Sequence, residues 1–333
     1  MPSVNSSIMR VEDYDSIPSP QDLVNAYSNG FKGVRIDRAS YYSMDRVINR
    51  VVHDFKDVYK DARGKAHLPY KVVTIKEPQF GRYESQTTGD CVSHATRNSG
   101  MLDYCIDTVF GLTEYSGRFA TENIYGHRGH GGQGANCSRL ASYVGPNGPG
   151  GFLVRKKYGS GRNSVDLSVY NSRTGHNWGR SGTPKWLSEI ADDNKALKVY
   201  SIKSMDDVIT SLSLGYGISF CSSYGFSSKR NEDGVSEQRG SWAHAMAWIG
   251  VDDTDWSHQN YGGPLVLIQN SWGPNWNGGP KRHEQPDGSF WIRASVANKM
   301  IRNGAGYAIA SVRGFNPVLV LDTMGRLQQE SKS

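Results

Sequence analysis

The run LIQNSWGPNWNGG at residues 267–279 decides how this chain is read. With the residues just before it, PLVLIQN (264–270) forms an apolar, strand-like stretch that stops on Asn270, and Ser271 and Trp272 follow at once. Upstream, SWAHAMAWIGVDD (241–253) is a second strand-like run, interrupted by one imidazole, His244, between two alanines. Further upstream, QTTGDCVSHATR (86–97) sets Cys91 behind a Gly-Asp turn at the start of a helical pattern. The chain thus offers a thiol, an imidazole and a side-chain amide, in that order.

Each of the three suits a role in nucleophilic chemistry. A thiol at a helix N-terminus feels the positive end of the macrodipole, which favours the thiolate. An Asn carbonyl can accept a hydrogen bond from one ring N–H of His244 and leave the other nitrogen for the thiol. Trp272 would roof that bond and exclude water. Gln86, five residues before Cys91, offers an NH₂ that could join the Cys91 backbone N–H in holding an oxyanion. One such donor is worth about 3 kcal/mol in the barrier. Cys105 and Cys221 read as buried structural cysteines.

The pattern along the chain is helical first and strand-rich later. Helices are expected at 21–30, at 43–59 behind Ser43, from Cys91 towards Gly111, at 135–144, and at 204–215 behind Ser204. Strands are expected at 71–75 (KVVTI), 197–202, 217–223, 243–252, 264–270, 288–293 and 306–313. That segregation points to an α+β protein. Residues 1–20 read as a polar arm and 314–333 as a surface strap.

The 333 residues carry 38 Lys and Arg against 32 Asp and Glu, with no basic stripe interleaved with aromatics, so no nucleic-acid partner is expected. Four cysteines are too few and too scattered for a disulfide framework, and no CxxC pair points to zinc. His127 and His130, with His94 or His283, lack a Cys or acid at ligand spacing, so no metal is expected. No cofactor motif is present; the glycine-rich 126–151 is not followed by the Lys-Ser/Thr of a phosphate loop. The first residues show no signal-peptide core, and no run of the sequence approaches the roughly 18 apolar residues of a membrane-spanning helix. The expectation is a protein without membrane insertion, cytoplasmic by default or packaged in a particle.

These motifs resemble the papain family of cysteine peptidases over roughly residues 80–313. NSWGPNW (270–276) is similar to the family's Asn-Ser-Trp-Gly-x-x-Trp segment, GSFWIR (288–293) to the strand that follows, and HAMAWIG (244–250) to its His strand. GHGGQGANCSRLASYV (129–144) resembles the double-glycine substrate loop and its helix. The chain departs from the pattern in four places. Gln86 is one residue closer to the nucleophile, and Val92 stands where an aromatic is usual. The extra turn cysteine is missing, which fits a reducing site of synthesis, and 252–263 lengthens the His–Asn connection.

The resemblance implies a two-lobed fold with a helical lobe at about 85–195, an antiparallel barrel-like lobe at about 196–313, and a cleft between them. It implies a catalytic unit at 76–313, behind an accessory or propeptide-like 1–75 and ahead of a tail at 314–333. It implies Cys91, His244, Asn270 and Gln86 as catalytic residues, and Gly131, Gly132 and Trp272 as substrate-binding ones. The expected activity is hydrolysis of peptide or isopeptide bonds in a peptide or protein substrate. The alternatives are a component of a large assembly such as a virus particle, joined through the N-terminal arm and C-terminal tail, or a cell-wall amide hydrolase.

Overall fold

The computed structural model describes residues 62–109 and 113–312. The helices expected at 21–30 and 43–59, the N-terminal arm and the C-terminal tail lie outside the described residues. A short strand β1 (Ala66–His67) and helix α1 (Pro69–Lys76) lead into the long helix α2 (Cys91–Val109). Helices α3 (Glu122–Gly126) and α4 (Cys137–Val144) follow, then the hairpin of β2 (Lys157–Ser160) and β3 (Asn163–Asp166). Helices α5 (Ser172–Trp178) and α6 (Lys185–Asp192) close this half. The second half runs β4 (Ala196–Ile202), α7 (Met205–Ser213), β5 (Ile218–Arg230), β6 (Ser236–Asp252) and α8 (Asp255–Tyr261). It ends with β7 (Leu265–Gln269), β8 (Ser289–Arg293), α9 (Ala294–Asn303) and β9 (Ala305–Val312).

Among the described residues one antiparallel sheet has seven strands, in the order β4-β9-β5-β6-β7-β8 with β1 added to the end of β6. It curls into a half-barrel, the α+β arrangement expected. Alternation along β6 explains why the sheet has helices on both faces. Ala245, Ala247 and Ile249 pack with Val92, Ala95 and Leu102 of α2, whereas Met246, Trp248 and Val251 pack with α7 and α9. A register shift between Trp248 and Gly250 returns Val251 to the Trp248 face. β7 follows the same rule, with Leu265 and Leu267 towards α2 and Val266 and Ile268 away from it. A strand buried on both faces has little room for polar side chains, which is why LVLI (265–268) reads as an unbroken apolar run before Gln269.

Helix α2 is wedged against this sheet, and 18 of its 19 residues are buried. The approach is close: a Cβ at Gly217, just before β5, would lie 2.5 Å from the Ser99 Cα. Ser204 caps α7 by accepting from the Asp207 N–H while the Asp207 carboxylate accepts from the Ser204 N–H, the reciprocal box that fixes a helix start.

Two expectations are overturned. KVVTI (71–75) is helix, not strand. Pro69 occupies the first turn, where its missing N–H costs nothing, and Tyr70, Val72 and Val73 are buried by α1 packing on α2 and β6. Tertiary contact overrides the strand preference of its β-branched residues. The cysteines are not all unpaired either: Cys137, the first residue of α4, is joined to Cys221 on β5, with Cα atoms 6.1 Å apart. Cys91 and Cys105 are free. Residues 62–76 are continuous with the packed body, since Ala66 pairs with Asp252 and His67 with Val251.

Candidate active site

Three elements converge. Helix α2 presents Cys91 at its first turn, β6 carries His244, and Asn270 is the first residue after β7, the neighbour of β6. The backbone N–H of Ala245 points at the Cys91 sulfur, which sets the thiol against the strand segment bearing His244. His244 Nε2 lies 2.7 Å from Asn270 Oδ1, and the same oxygen accepts the Ser271 backbone N–H at 2.7 Å. A backbone N–H can only donate, so it identifies the atom facing the ring as the Asn oxygen. His244 Nε2 therefore carries the proton, and a neutral ring has its lone pair on Nδ1.

The His–Asn pair is dry. The Trp272 ring lies 4.7 Å from the imidazole, tilted by 31°, with Trp242 and Trp276 packed around it. Burial pushes the His244 pKa down to about 4; the Asn270 hydrogen bond works in the other direction, and nearby His94 adds to the depression. Burial likewise raises the Cys91 thiol, helped by the Asp90 carboxylate and opposed by backbone N–H groups. Near neutral pH the two groups rest as thiol and imidazole.

The turn before the thiol carries a buried network that the sequence did not announce, and it includes His94, weighed there only as a metal ligand. Asp90 is buried; its Oδ2 accepts the Tyr170 hydroxyl at 2.7 Å and lies 3.4 Å from His94 Nε2, while Oδ1 has no hydrogen-bond partner. His94 Nδ1 is 3.2 Å from Arg97 Nη2. A guanidinium has no lone pair to offer, so Nδ1 accepts from Arg97. The adjacent Gly-Asp-Cys was visible in the chain, but the partners lie at positions 97 and 170, and nothing local announces them.

Gln86 is fastened to the Asn270 loop. Its N–H donates to the Ser271 carbonyl at 2.8 Å, its Oε1 accepts the Ser271 hydroxyl, and its Nε2 donates to the Thr88 carbonyl at 2.9 Å. One N–H of that amide is therefore engaged within the turn. Gly131 and Gly132 lie exposed on the glycine loop, with the Gly132 carbonyl held by Arg128 Nε at 2.8 Å. Gln133 docks this loop on the Cys turn, since its Oε1 accepts from the Gly89 N–H and the Thr88 hydroxyl, and the Gly134 N–H donates to the Gly89 carbonyl. The 252–263 insertion forms α8, tied down by His258 on Asp253 and Arg282 on Asp252. His127 stacks on Tyr143 and His283 binds Asp252, so these two histidines sit in separate settings.

No protein-family model matches the chain, and no curated protein does. Among solved structures it is similar to xylellain, a cysteine protease from Xylella fastidiosa. The identity is 18%, the match covers 78% of this chain and 90% of that one, and the TM-score is 0.50. Procathepsin B S9 from Trypanosoma congolense matches at 13% identity over 74% of this chain and 77% of its own, with a TM-score of 0.43. The cysteine protease and lectin-like domains of Cwp84, a surface layer associated protein of Clostridium difficile, match at 16% identity over 69% and 49%, with a TM-score of 0.43. The likeness to xylellain is one of fold, and the fold is papain-like.

Proposed function

We propose that this chain is a thiol hydrolase that cleaves peptide or isopeptide bonds at Cys91. The observation that carries the reading is the 2.7 Å bond from His244 Nε2 to Asn270 Oδ1, which leaves the other ring nitrogen basic on the strand beside Cys91. Cys91 gives its proton to that nitrogen as its sulfur bonds the substrate carbonyl carbon. The carbonyl oxygen becomes an oxyanion, received by the Cys91 N–H and the remaining N–H of Gln86. The imidazolium then protonates the leaving amine, and the C–N bond breaks to leave a thioester. Water attacks the thioester as His244 takes its proton, and the carboxylate product leaves with the thiol restored.

Both reacting groups start neutral, so proton transfer accompanies attack and does not precede it. A dry site makes separated charges costly before substrate arrives, and a bound carbonyl supplies the group that makes use of them.

The test is incubation with a mixed peptide library, an isopeptide-linked conjugate and purified cell wall, together with labelling by a peptidyl ketone. New fragments are expected, with a covalent adduct on Cys91 and none on Cys105. Turnover should fall at least about 1,000-fold in Cys91→Ala and in His244→Ala. Muropeptide release without peptide cleavage would move the substrate to the cell wall. Absence of both fragments and adduct would overturn the hydrolase. That outcome would favour a binding component of a large assembly, a reading to which the buried, neutral Cys91 also lends support.

A further inference from the structure

The charge of this chain is unevenly placed. Residues 123–188 hold nine Lys and Arg against a single acid, Asp166, although the whole chain is nearly balanced at 38 against 32. This segment includes the glycine loop and α5, which border the turn before Cys91. Some of its cations are neutralised: Arg155 is buried against Glu84 and Glu122, Lys157 meets Asp166, and Lys185 meets Glu189. Arg173 and Arg180 are exposed, and no carboxylate among the described residues pairs with either.

Arg180 stands at the rim of the proposed cleft, and Arg173 lies on the helix whose first residue touches the Cys turn. A Cβ built on Gly131 would lie 3.8 Å from the Arg180 Nε and Nη2 atoms, so that guanidinium lies along the exposed glycine loop. Gly134 on the same loop donates to the Gly89 carbonyl, two residues before the thiol, at 3.1 Å. Arg173 follows Ser172, whose hydroxyl accepts from the Thr87 hydroxyl at 2.8 Å, so the start of α5 touches the other side of the turn. His130 is exposed on the same loop, close to Gly132. Two acids that border this region, Asp90 and Glu122, are buried and already engaged, by Tyr170 and by Arg155.

We propose that the cleft selects an acidic peptide, with Asp or Glu side chains lying along the glycine loop between Arg173 and Arg180. The proposal rests on the reading of this cleft as that of a thiol hydrolase and adds the class of its substrate. Two guanidiniums without counter-charges raise the local concentration of anionic chains and reject cationic ones. Planar forks also suit carboxylates geometrically. Such selection is electrostatic at its rim and therefore weakens with salt.

Binding separates this proposal from turnover. Cys91→Ser protein is titrated, by fluorescence anisotropy, into labelled peptides of one sequence carrying Glu, Gln or Lys at three successive positions. A single-stranded DNA oligonucleotide is the fourth probe. The Glu peptide is expected to bind about tenfold tighter than the Gln peptide at low salt, with the gap closing as NaCl rises towards 0.3 M. Arg180→Glu and Arg173→Glu, singly and together, are expected to reverse the order of the Glu and Lys peptides. Each variant is checked for folding by circular dichroism, and Arg180→Gln serves if a charge reversal disturbs the loop. Equal binding of Glu and Gln peptides would overturn the proposal, and so would DNA binding tighter than the Glu peptide. If the Glu preference holds while wild-type protein cuts no peptide, the hydrolase reading fails and the acidic ligand stands.

Discussion

The Tyr170 hydroxyl donates to Asp90 Oδ2 at 2.7 Å and so holds a buried carboxylate one residue before Cys91. The helix N-terminus was expected to favour a thiolate, but a fixed anion beside the sulfur opposes it. Burial acts in the same direction and is the larger cause. The turn therefore restrains the thiol until something else enters the site.

Replacing that anion should release the thiol. Asp90→Asn is expected to shift the pH midpoint of Cys91 alkylation by iodoacetamide downward and to raise the rate at pH 7 by roughly tenfold. Peptide mapping separates Cys91 from Cys105. An unchanged midpoint in the folded variant would show that Asp90 does not act on the thiol.

His244 should titrate far below an ordinary histidine. In Cys91→Ser protein its ring signals are expected to shift with a midpoint of about 4. Because the folded value lies below the unfolded one, this group stabilises the protein above pH 6.5. Its contribution, about 3 kcal/mol, is lost as pH falls through 4. Trp272→Ala admits water to the ring and is expected to raise the NMR midpoint towards 6.5. A midpoint that stays near 4 would place the cause elsewhere than in the tryptophan roof.

Acid stability at lower pH should depend on Glu84. Burial alone would raise its pKa, but Arg97, Arg155 and Arg118 outweigh it and hold the carboxyl at about 2, down from 4.5. The folded value is again the lower, so the stabilisation is complete above 4.5 and disappears as pH falls through 2. Glu84→Gln is expected to lower the unfolding free energy at pH 7 by about 3 kcal/mol. Urea melts of wild type and variant should converge between pH 4.5 and 2; a constant gap would refute the assignment.

The Cys137–Cys221 bond should be measurable as a mass and as stability. Two of the four cysteines are expected to react with a maleimide in denaturant, and all four after reduction. With the partners 84 positions apart in sequence, Cys221→Ser should cost about 2–4 kcal/mol, and a reductant should destabilise wild type but not the variant. Four reactive thiols in unreduced, denatured protein would exclude the bond.

The two strands around the site were legible because each has an apolar buried stretch bordered by a polar residue. His244 and Asn270 stood out as polar positions at the edges of apolar runs, and adjacency of β6 and β7 brings them together. KVVTI was not legible, because Pro69 and the α2 surface decide its conformation and neither lies within its five residues. The disulfide was not legible because Cys137 and Cys221 meet only when α4 docks on β5. The setting of Asp90 depends on Tyr170, eighty residues away, so spacing alone assigned the turn the opposite effect on its thiol.

The covalent tie from α4 to β5 has a mechanical consequence. Its two ends follow the glycine loop on one wall of the proposed cleft and stand beside the Ala245 strand on the other, where Cys221 pairs with Ala245. A covalent tie of this kind limits how far α4 can move from the sheet. If the proposed cleft takes a peptide, adjustment falls to loops and side-chain rotamers, and selection rests on a shape set before any encounter.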